Sequence, residues 1–206
     1  MAKNRKQAHQ QQQIETKAGL MFGLGHADIV GLNSLGLICS RKCPGDVILK
    51  TYDFARLMQT SGTAIISGFH SPIEKDCLPT LLRGTCPIII VQAHRLSTSK
   101  LPLEWQKGIE ECRVLLISPF GEAQKRVTAE LASERNRFVA EISDDVLIPY
   151  AHPGSKTEAL SKELLSSGKR VYTFESPSNA ALTSAGAIAV GSEFFSTPQG
   201  ISVQIR

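Results

Sequence analysis

The chain has 206 residues, 42% hydrophobic and 20% charged, with 23 Lys and Arg against 19 Asp and Glu and a formal net charge of +4. This is globular composition, which excludes a disordered polymer, and the length suits one domain of about 100–200 residues. No apolar run approaches the ~18 residues of a membrane span, and the basic, Gln-rich start lacks the apolar stretch of a secretory signal. A soluble cytoplasmic protein is expected, with no membrane partner.

Residues 1–18 hold Lys3, Arg5, Lys6 and Lys17 against Glu15, so they carry +3 of the +4. They read as a disordered basic tail, with 19–206 as a single folded domain. A body at +1 does not bind nucleic acid by bulk charge, so any such site must be a local patch. The five cysteines, Cys39, Cys43, Cys77, Cys86 and Cys112, are odd in number and share no spacing. The step from Cys39 to Cys43 is not the C-x-x-C of a zinc or redox pair. Reduced, mostly buried thiols are expected.

In chain order, residues 19–34 are apolar, Gly-rich and poorly periodic, and read as a short lead-in helix or a packed loop. Short apolar runs at 35–39, 64–67, 88–91, 114–118, 146–150 and 171–174 read as buried parallel strands, with a weaker one at 187–190. Helical spacing falls between them, near 47–60, 72–83, 102–111, 122–141 and 155–167. In the last, Leu160, Leu164 and Leu165 form an apolar stripe over Lys162 and Glu163. This alternation predicts an α/β fold with a doubly wound, mostly parallel, Rossmann-like sheet and helices on both faces. Such sheets bind ligands at the carboxyl ends of their strands, where strand order reverses.

The segments after the strands are therefore the candidate site. Ser40-Arg41-Lys42 follows the first and leads through Cys-Pro-Gly into a helix, with Arg41 as a phosphate fork. Ser67-Gly68-Phe69-His70-Ser71-Pro72 follows the second. There Gly68 allows close backbone approach, Phe69 offers a stacking face, and His70 offers a bond to phosphate or sugar. Ser71 also forms a capping box with Glu74, three residues on. The long helical stretch carries Arg135-Asn136-Arg137-Phe138, suited to a phosphate backbone with one stacked base, or simply to a solvated helix face. After the fifth strand, Gly154-Ser155-Lys156-Thr157-Glu158 fails the spacing of a Walker A loop. It still makes a phosphate-holding turn, with Lys156 as a point charge and Ser155 as a cap. The sequence carries no dinucleotide fingerprint, G-x-S-x-G elbow or H-E-x-x-H. No catalytic residue, metal or cofactor is expected, and the reading leans away from an enzyme.

These segments, in this order, resemble the core of the DNA-processing protein A family (DprA, or Smf), within the wider superfamily that includes the lonely-guy enzymes. The family's Gly-Ser-Arg reads Cys39-Ser40-Arg41 here. Its Ser-Gly-x-Ala-Arg-Gly-Ile-Asp reads Ser67-Gly68-Phe69-His70-Ser71-Pro72-Ile73-Glu74. Its Arg-Asn-Arg-x-x-Ala-x-x-Ser is matched by residues 135–143, and its Ser/Gly-rich turn by Gly154-Ser155-Lys156-Thr157. The likeness spans roughly residues 30–175, with Ser71 where the family has a basic residue, and suggests a divergent, stand-alone core. It implies single-stranded DNA as partner, phosphate contacts from Arg41, Arg135, Arg137 and Lys156, and backbone help from Gly68 and Ser155. It also implies a homodimer and a RecA-type recombinase as a further partner, in DNA uptake, recombination or genome defence. The alternative is a nucleotide-binding pocket for a nucleotide-derived ligand, sensed or hydrolysed at its glycosidic bond. The lonely-guy P-G-G-x-G-T-x-x-E motif keeps only Pro153-Gly154 and one Glu here, so Glu158 reads as a helix cap rather than an acid.

Overall fold

The apolar runs are too short to bury a helix face but long enough to cross a sheet, and their β-branched residues favour a pleated surface packed on both sides. The structure, a computed structural model, describes residues 11–97, 101–121 and 123–196. Its strands and helices run β1 Gln12–Thr16, β2 Gly19–Gly25, β3 Ser34–Leu37, α1 Gly45–Met58, β4 Ala64–Ser67, α2 Pro72–Leu82, β5 Ile88–Val91, α3 Leu103–Glu110 and β6 Val114–Ser118. They continue with α4 Ala129–Ile142, β7 Asp145–Leu147, α5 Lys156–Ser166, β8 Val171–Phe174, α6 Ala180–Ser184 and β9 Ile188–Val190.

The nine strands form one sheet in the order β1-β2-β6-β5-β4-β3-β7-β8-β9. From β6 to β9 every pairing is parallel, while β2 lies antiparallel to both β6 and β1. The α/β, mostly parallel, Rossmann-like architecture expected from the sequence is the one observed. The chain first adds β4, β5 and β6 on one side of β3, then returns to add β7, β8 and β9 on the other. The switch point therefore lies at β3 and β7.

Alternate residues of each central strand enter opposite cores, as the pleat requires. Ile88 and Ile90 pack with Phe54, Met58, Cys77, Leu81 and Ile109 from α1, α2 and α3. Ile89 and Val91 pack with Phe138, Val139, Ile142, Leu160 and Leu182 from α4, α5 and α6. Both layers must be covered, which explains why these strands read as unbroken apolar runs.

Four expectations change. Residues 19–34 form strand β2 and the 3-10 turn Ala27–Gly31 in place of a lead-in helix or loop. The open edge of β6 supplies hydrogen-bond partners that Gly-rich sequence does not advertise. The expected disordered tail ends sooner than residue 18, because Gln12–Thr16 pairs with β2. Ile14 is buried there, and Lys17 makes an ion pair with Asp144. Residues 1–10 of that tail lie outside the described residues. The helix expected over 122–141 starts only at Ala129, where the Thr128 side chain accepts from Leu131 N. Strands expected to reach 39 and 150 end formally at Leu37 and Leu147. Their pairing nevertheless continues through Ile38 N to Leu147 O and Ser40 N to Tyr150 O.

Candidate functional site

The pairing of the ends of β3 and β7 brings two remote loops together. Ser40 is 3% exposed, and its Oγ accepts from His152 N at 2.9 Å and lies 3.2 Å from Ser155 Oγ. It is thus a structural clasp across the switch point, and Arg41 and Lys42, the next two residues, are exposed.

The loop after β4 is shaped by Phe69, a non-glycine residue at φ 45°. This left-handed turn, which costs on the order of 1 kcal/mol, sends Phe69 into the core at 6% exposure and His70 outward. Ser67 Oγ holds the turn by accepting from Phe69 N at 3.0 Å. Phe69 therefore offers no face for stacking, because packing the apolar ring is worth more than exposing it. Ser71 caps α2 and Glu74 closes the box. Glu74 also does more than cap. At 3% exposure, its Oε1 accepts from Cys39 N at 2.8 Å and its Oε2 from His70 N and Ser71 N at 2.9 and 3.2 Å. One buried carboxylate thus joins the ends of β3 and β4, and the His70, Ser71 and Glu74 amides at the start of α2 are already satisfied.

Gly68 also works differently from its expected role. A Cβ there would overlap the guanidinium of Arg135. Arg135 is 4% exposed, and its Nε donates to Asn136 Oδ1 at 2.8 Å. Its Nη1 is 3.5 Å from Val91 O. Burial holds its pKa below the ordinary arginine value, partly offset by the Glu74 charge. The glycine clears space for a buried cation, and the bond to Oδ1 leaves the Asn136 amide nitrogen for a ligand.

At α5, Ser155 Oγ accepts from Glu158 N and Glu158 Oε2 accepts from Gly154 N at 2.8 Å. Gly154 adopts φ 74°, which a side chain rarely tolerates. Glu158 also pairs with Lys162 at 3.0 Å, and the Gly154 amide followed by Lys162 lowers its pKa. A general acid needs the opposite shift, so Glu158 serves as a cap. Lys156 Nζ donates to Ala129 O at 2.9 Å and bridges α5 to the start of α4.

These parts enclose a cleft of about 580 Å³. Of the residues expected at the site, Ser40, Arg41, His70, Ser71, Arg135, Asn136, Ser155, Lys156 and Thr157 line it. Ser67, Gly68 and Phe69 stand behind the wall, and Gly154 is exposed outside the lining. Arg137 points elsewhere. It pairs with Glu163 at 3.0 Å and lines a smaller hollow of about 350 Å³ that shares Ser133, Asn136 and Lys156 with the cleft. The i, i+2 step from Arg135 to Arg137 turns the two side chains to different faces of α4.

Lys42, Glu74, Thr128, Ser133 and His152 supply further polar lining without having been singled out as site residues, and Cys39, Val127, Ala129 and Ala132 add to it. The capping-box spacing pointed to Glu74, but its reach to Cys39 exists only in the folded chain. Four cationic side chains thus face one carboxylate, and that carboxylate is engaged by backbone amides. The balance favours an anion, held by side-chain cations more than by helix-end amides. Burial, then Arg135 and Lys75, lower the His70 pKa below its ordinary value, so its ring is neutral at pH 7. Among the described residues no group of three or more His, Cys, Asp or Glu is arranged to hold a metal, and no helix is long and apolar enough to cross a membrane.

The family model described as DNA recombination-mediator protein A matches residues 2–201. No curated protein matches the sequence. Among solved structures, DNA processing protein A from Streptococcus pneumoniae is similar at TM-score 0.69 and 18% identity, over 84% of this chain and 63% of that one. This chain therefore spans less than two thirds of that protein's length. DNA processing protein A from Helicobacter pylori, whose structure is described for its single-stranded DNA binding mode, is similar at TM-score 0.67 and 19% identity, over 85% of this chain and 84% of that one. The molybdenum cofactor carrier protein of Chlamydomonas reinhardtii is more remote, at TM-score 0.52 and 16% identity, over 78% and 91%. At such identities the structural likeness is one of fold, whereas the family model takes in nearly the whole sequence, and on that match the protein belongs to the DNA recombination-mediator protein A family.

Proposed function

We propose that this protein binds single-stranded DNA at the switch-point cleft and serves a DNA-processing role in the cytoplasm. The observation that carries the reading is the convergence of Arg41, Lys42, Arg135 and Lys156 on one cleft whose only lining carboxylate among the described residues, Glu74, is internally engaged. Exposed Arg41, Lys42 and Lys156 contact phosphates, while His70 and Asn136 meet the sugar or base. Strand-end loops of this kind hold a flexible backbone, and a rigid duplex cannot follow the cleft inward. The family assignment and the Helicobacter pylori relative support this reading. A second copy of the chain and a RecA-type recombinase are the proposed protein partners.

The test is fluorescence anisotropy with labelled single-stranded and duplex oligonucleotides at low and high salt. Single-strand preference that falls with salt supports the reading, and no binding at low salt overturns it. The cleft volume also suits a single nucleotide-derived ligand, since small-molecule sites span ~300–1,000 Å³. Thermal stabilisation by mononucleotides without oligonucleotide binding would favour that second reading.

A further inference from the structure

A further hollow, of about 330 Å³, adjoins the cleft and shares Arg41 and Lys42 with it. It lies between the N-terminal halves of α1 and α2. Ile48 and Tyr52 line it from α1, Pro72, Ile73 and Asp76 line it from α2, and Cys43 adds to the lining. The i, i+4 and i, i+3 steps place each set on one face of its helix. Ile48 and Tyr52 are half-buried against the core and Ile73 is buried, so the apolar walls are fixed in place. The Tyr52 hydroxyl donates to Asp76 Oδ2 at 2.9 Å, which ties the ring across the groove. That bond raises the Tyr52 pKa above the ordinary phenol value and keeps the hydroxyl a donor. Asp76 is exposed, and its Oδ1 has no hydrogen-bond or ion-pair partner among the described residues.

Resting on the proposed function, we infer that this hollow is a base subsite of the single-strand site, stacking cytosine on Tyr52 with its amino group donating to Asp76. A nucleotide is anionic at one end, flat and apolar on its faces and polar along its edge. Two cations at the border with the cleft, aromatic and aliphatic walls and one charged acceptor complement those three features. Among the described residues lining the cleft, the only rings are the imidazoles of His70 and His152, so the hollow supplies the stacking face that the phosphate site lacks. A strand whose phosphate lies on Arg41 and Lys42 turns the adjoining base into the hollow, since no pairing restrains the bases of a single strand. The carboxylate then selects by edge. Cytosine presents an amino group where uracil and thymine present a carbonyl oxygen, so Asp76 accepts from the first and repels the others.

The test is fluorescence anisotropy on the full chain with labelled oligo-dC and oligo-dU of equal length, at neutral pH and 0.1 M salt. Wild type should bind oligo-dC about 10-fold more tightly, the effect of one hydrogen bond to a charged acceptor. Asp76→Ala should bring the two affinities to parity. Loss of its charge strengthens both strands alike, so the ratio is the readout. Tyr52→Leu should weaken both strands about 10-fold, and Tyr52→Phe, which keeps the ring, should bind oligo-dU as wild type does. Equal affinities in wild type, a preference that survives in Asp76→Ala, or wild-type binding by Tyr52→Leu overturns the inference. Salt-dependent binding that requires Arg41 but shows no such ratio leaves the proposed function standing and removes the base subsite. If no oligonucleotide binds, the proposed function fails, and thermal melting with deoxycytidine and deoxyuridine monophosphates decides the subsite. A larger shift with the cytidine nucleotide, absent in Asp76→Ala, supports it, and equal shifts overturn it.

Discussion

Arg41→Ala tests how the cleft holds its ligand. Arg41, Lys42 and Lys156 are the exposed cations of the lining, whereas Arg135 is 4% exposed and engaged with Asn136. Each phosphate contact to a single strand contributes about −0.7 to the slope of log affinity against log salt. Three contacts give a slope of about −2.1, or about an 18-fold loss of affinity between 50 and 200 mM salt. Removing Arg41 leaves a slope of about −1.4 and about a 7-fold loss over the same interval. At 0.1 M the variant binds about 5-fold more weakly. Folding should survive, because exposed substitutions of this kind usually change stability by less than about 0.5 kcal/mol. Arg137→Ala is the matched control. That side chain is paired with Glu163 outside the cleft, so its slope should stay at the wild-type value. Anisotropy titrations of both variants against a short labelled oligonucleotide at several salt concentrations give the slopes directly. A wild-type slope in Arg41→Ala, or an equal fall in Arg137→Ala, would refute the assignment of the cleft as the phosphate site.

Three further variants probe the wall. Gly68→Ala forces its Cβ into the Arg135 guanidinium, which should cost about 2 kcal/mol, lower Tm by about 4–8 °C and weaken oligonucleotide binding. Wild-type melting by calorimetry would show that the guanidinium moves freely. Glu74→Gln replaces one oxygen that accepts from backbone amides with a donor, and urea unfolding should report a loss of about 2–3 kcal/mol. An unchanged midpoint would mean that the loop amides find other acceptors. His70 takes its proton below the ordinary value of 6.5, so protonation adds positive charge to the cleft only in acid. Oligonucleotide affinity should rise as pH falls beneath that value, and His70→Gln should lose this component, separating it from His152. The unfolded chain takes up the same proton more readily. The contribution of His70 to stability is therefore complete above the ordinary value and declines as pH falls through it. Affinity that is flat in pH for wild type, or equally pH-dependent in the variant, would exclude His70 from the site.

The central strands were legible because burial on both faces demands continuous apolar runs, and Ile88–Val91 and Val114–Ser118 satisfy that demand within their own residues. The β1–β2 hairpin was not. Its Gln and Gly residues carry little strand preference, and only the free edge of β6 makes pairing favourable. The site divided in the same way. Ser71 and Ser155 were recognisable as caps because capping is local, within three residues of chain. The burial of Phe69 and the pairing of Arg137 were not legible, because both depend on what packs opposite. The turn at Phe69 drives its ring inward, and the helix face of Arg137 meets Glu163.

From its residues alone, this chain determined the alternation of strands and helices, the helix caps, and the loops in which a site must lie, since each rests on spacing and short-range bonding. Tertiary structure decided which of those loops meet. It carried β7 back beside β3, set Ser40 against Ser155, brought Glu74 to the Cys39 amide and buried Arg135 over Gly68. Such contacts join residues dozens of positions apart, and their energies arise only when the sheet order has placed both partners in the same volume.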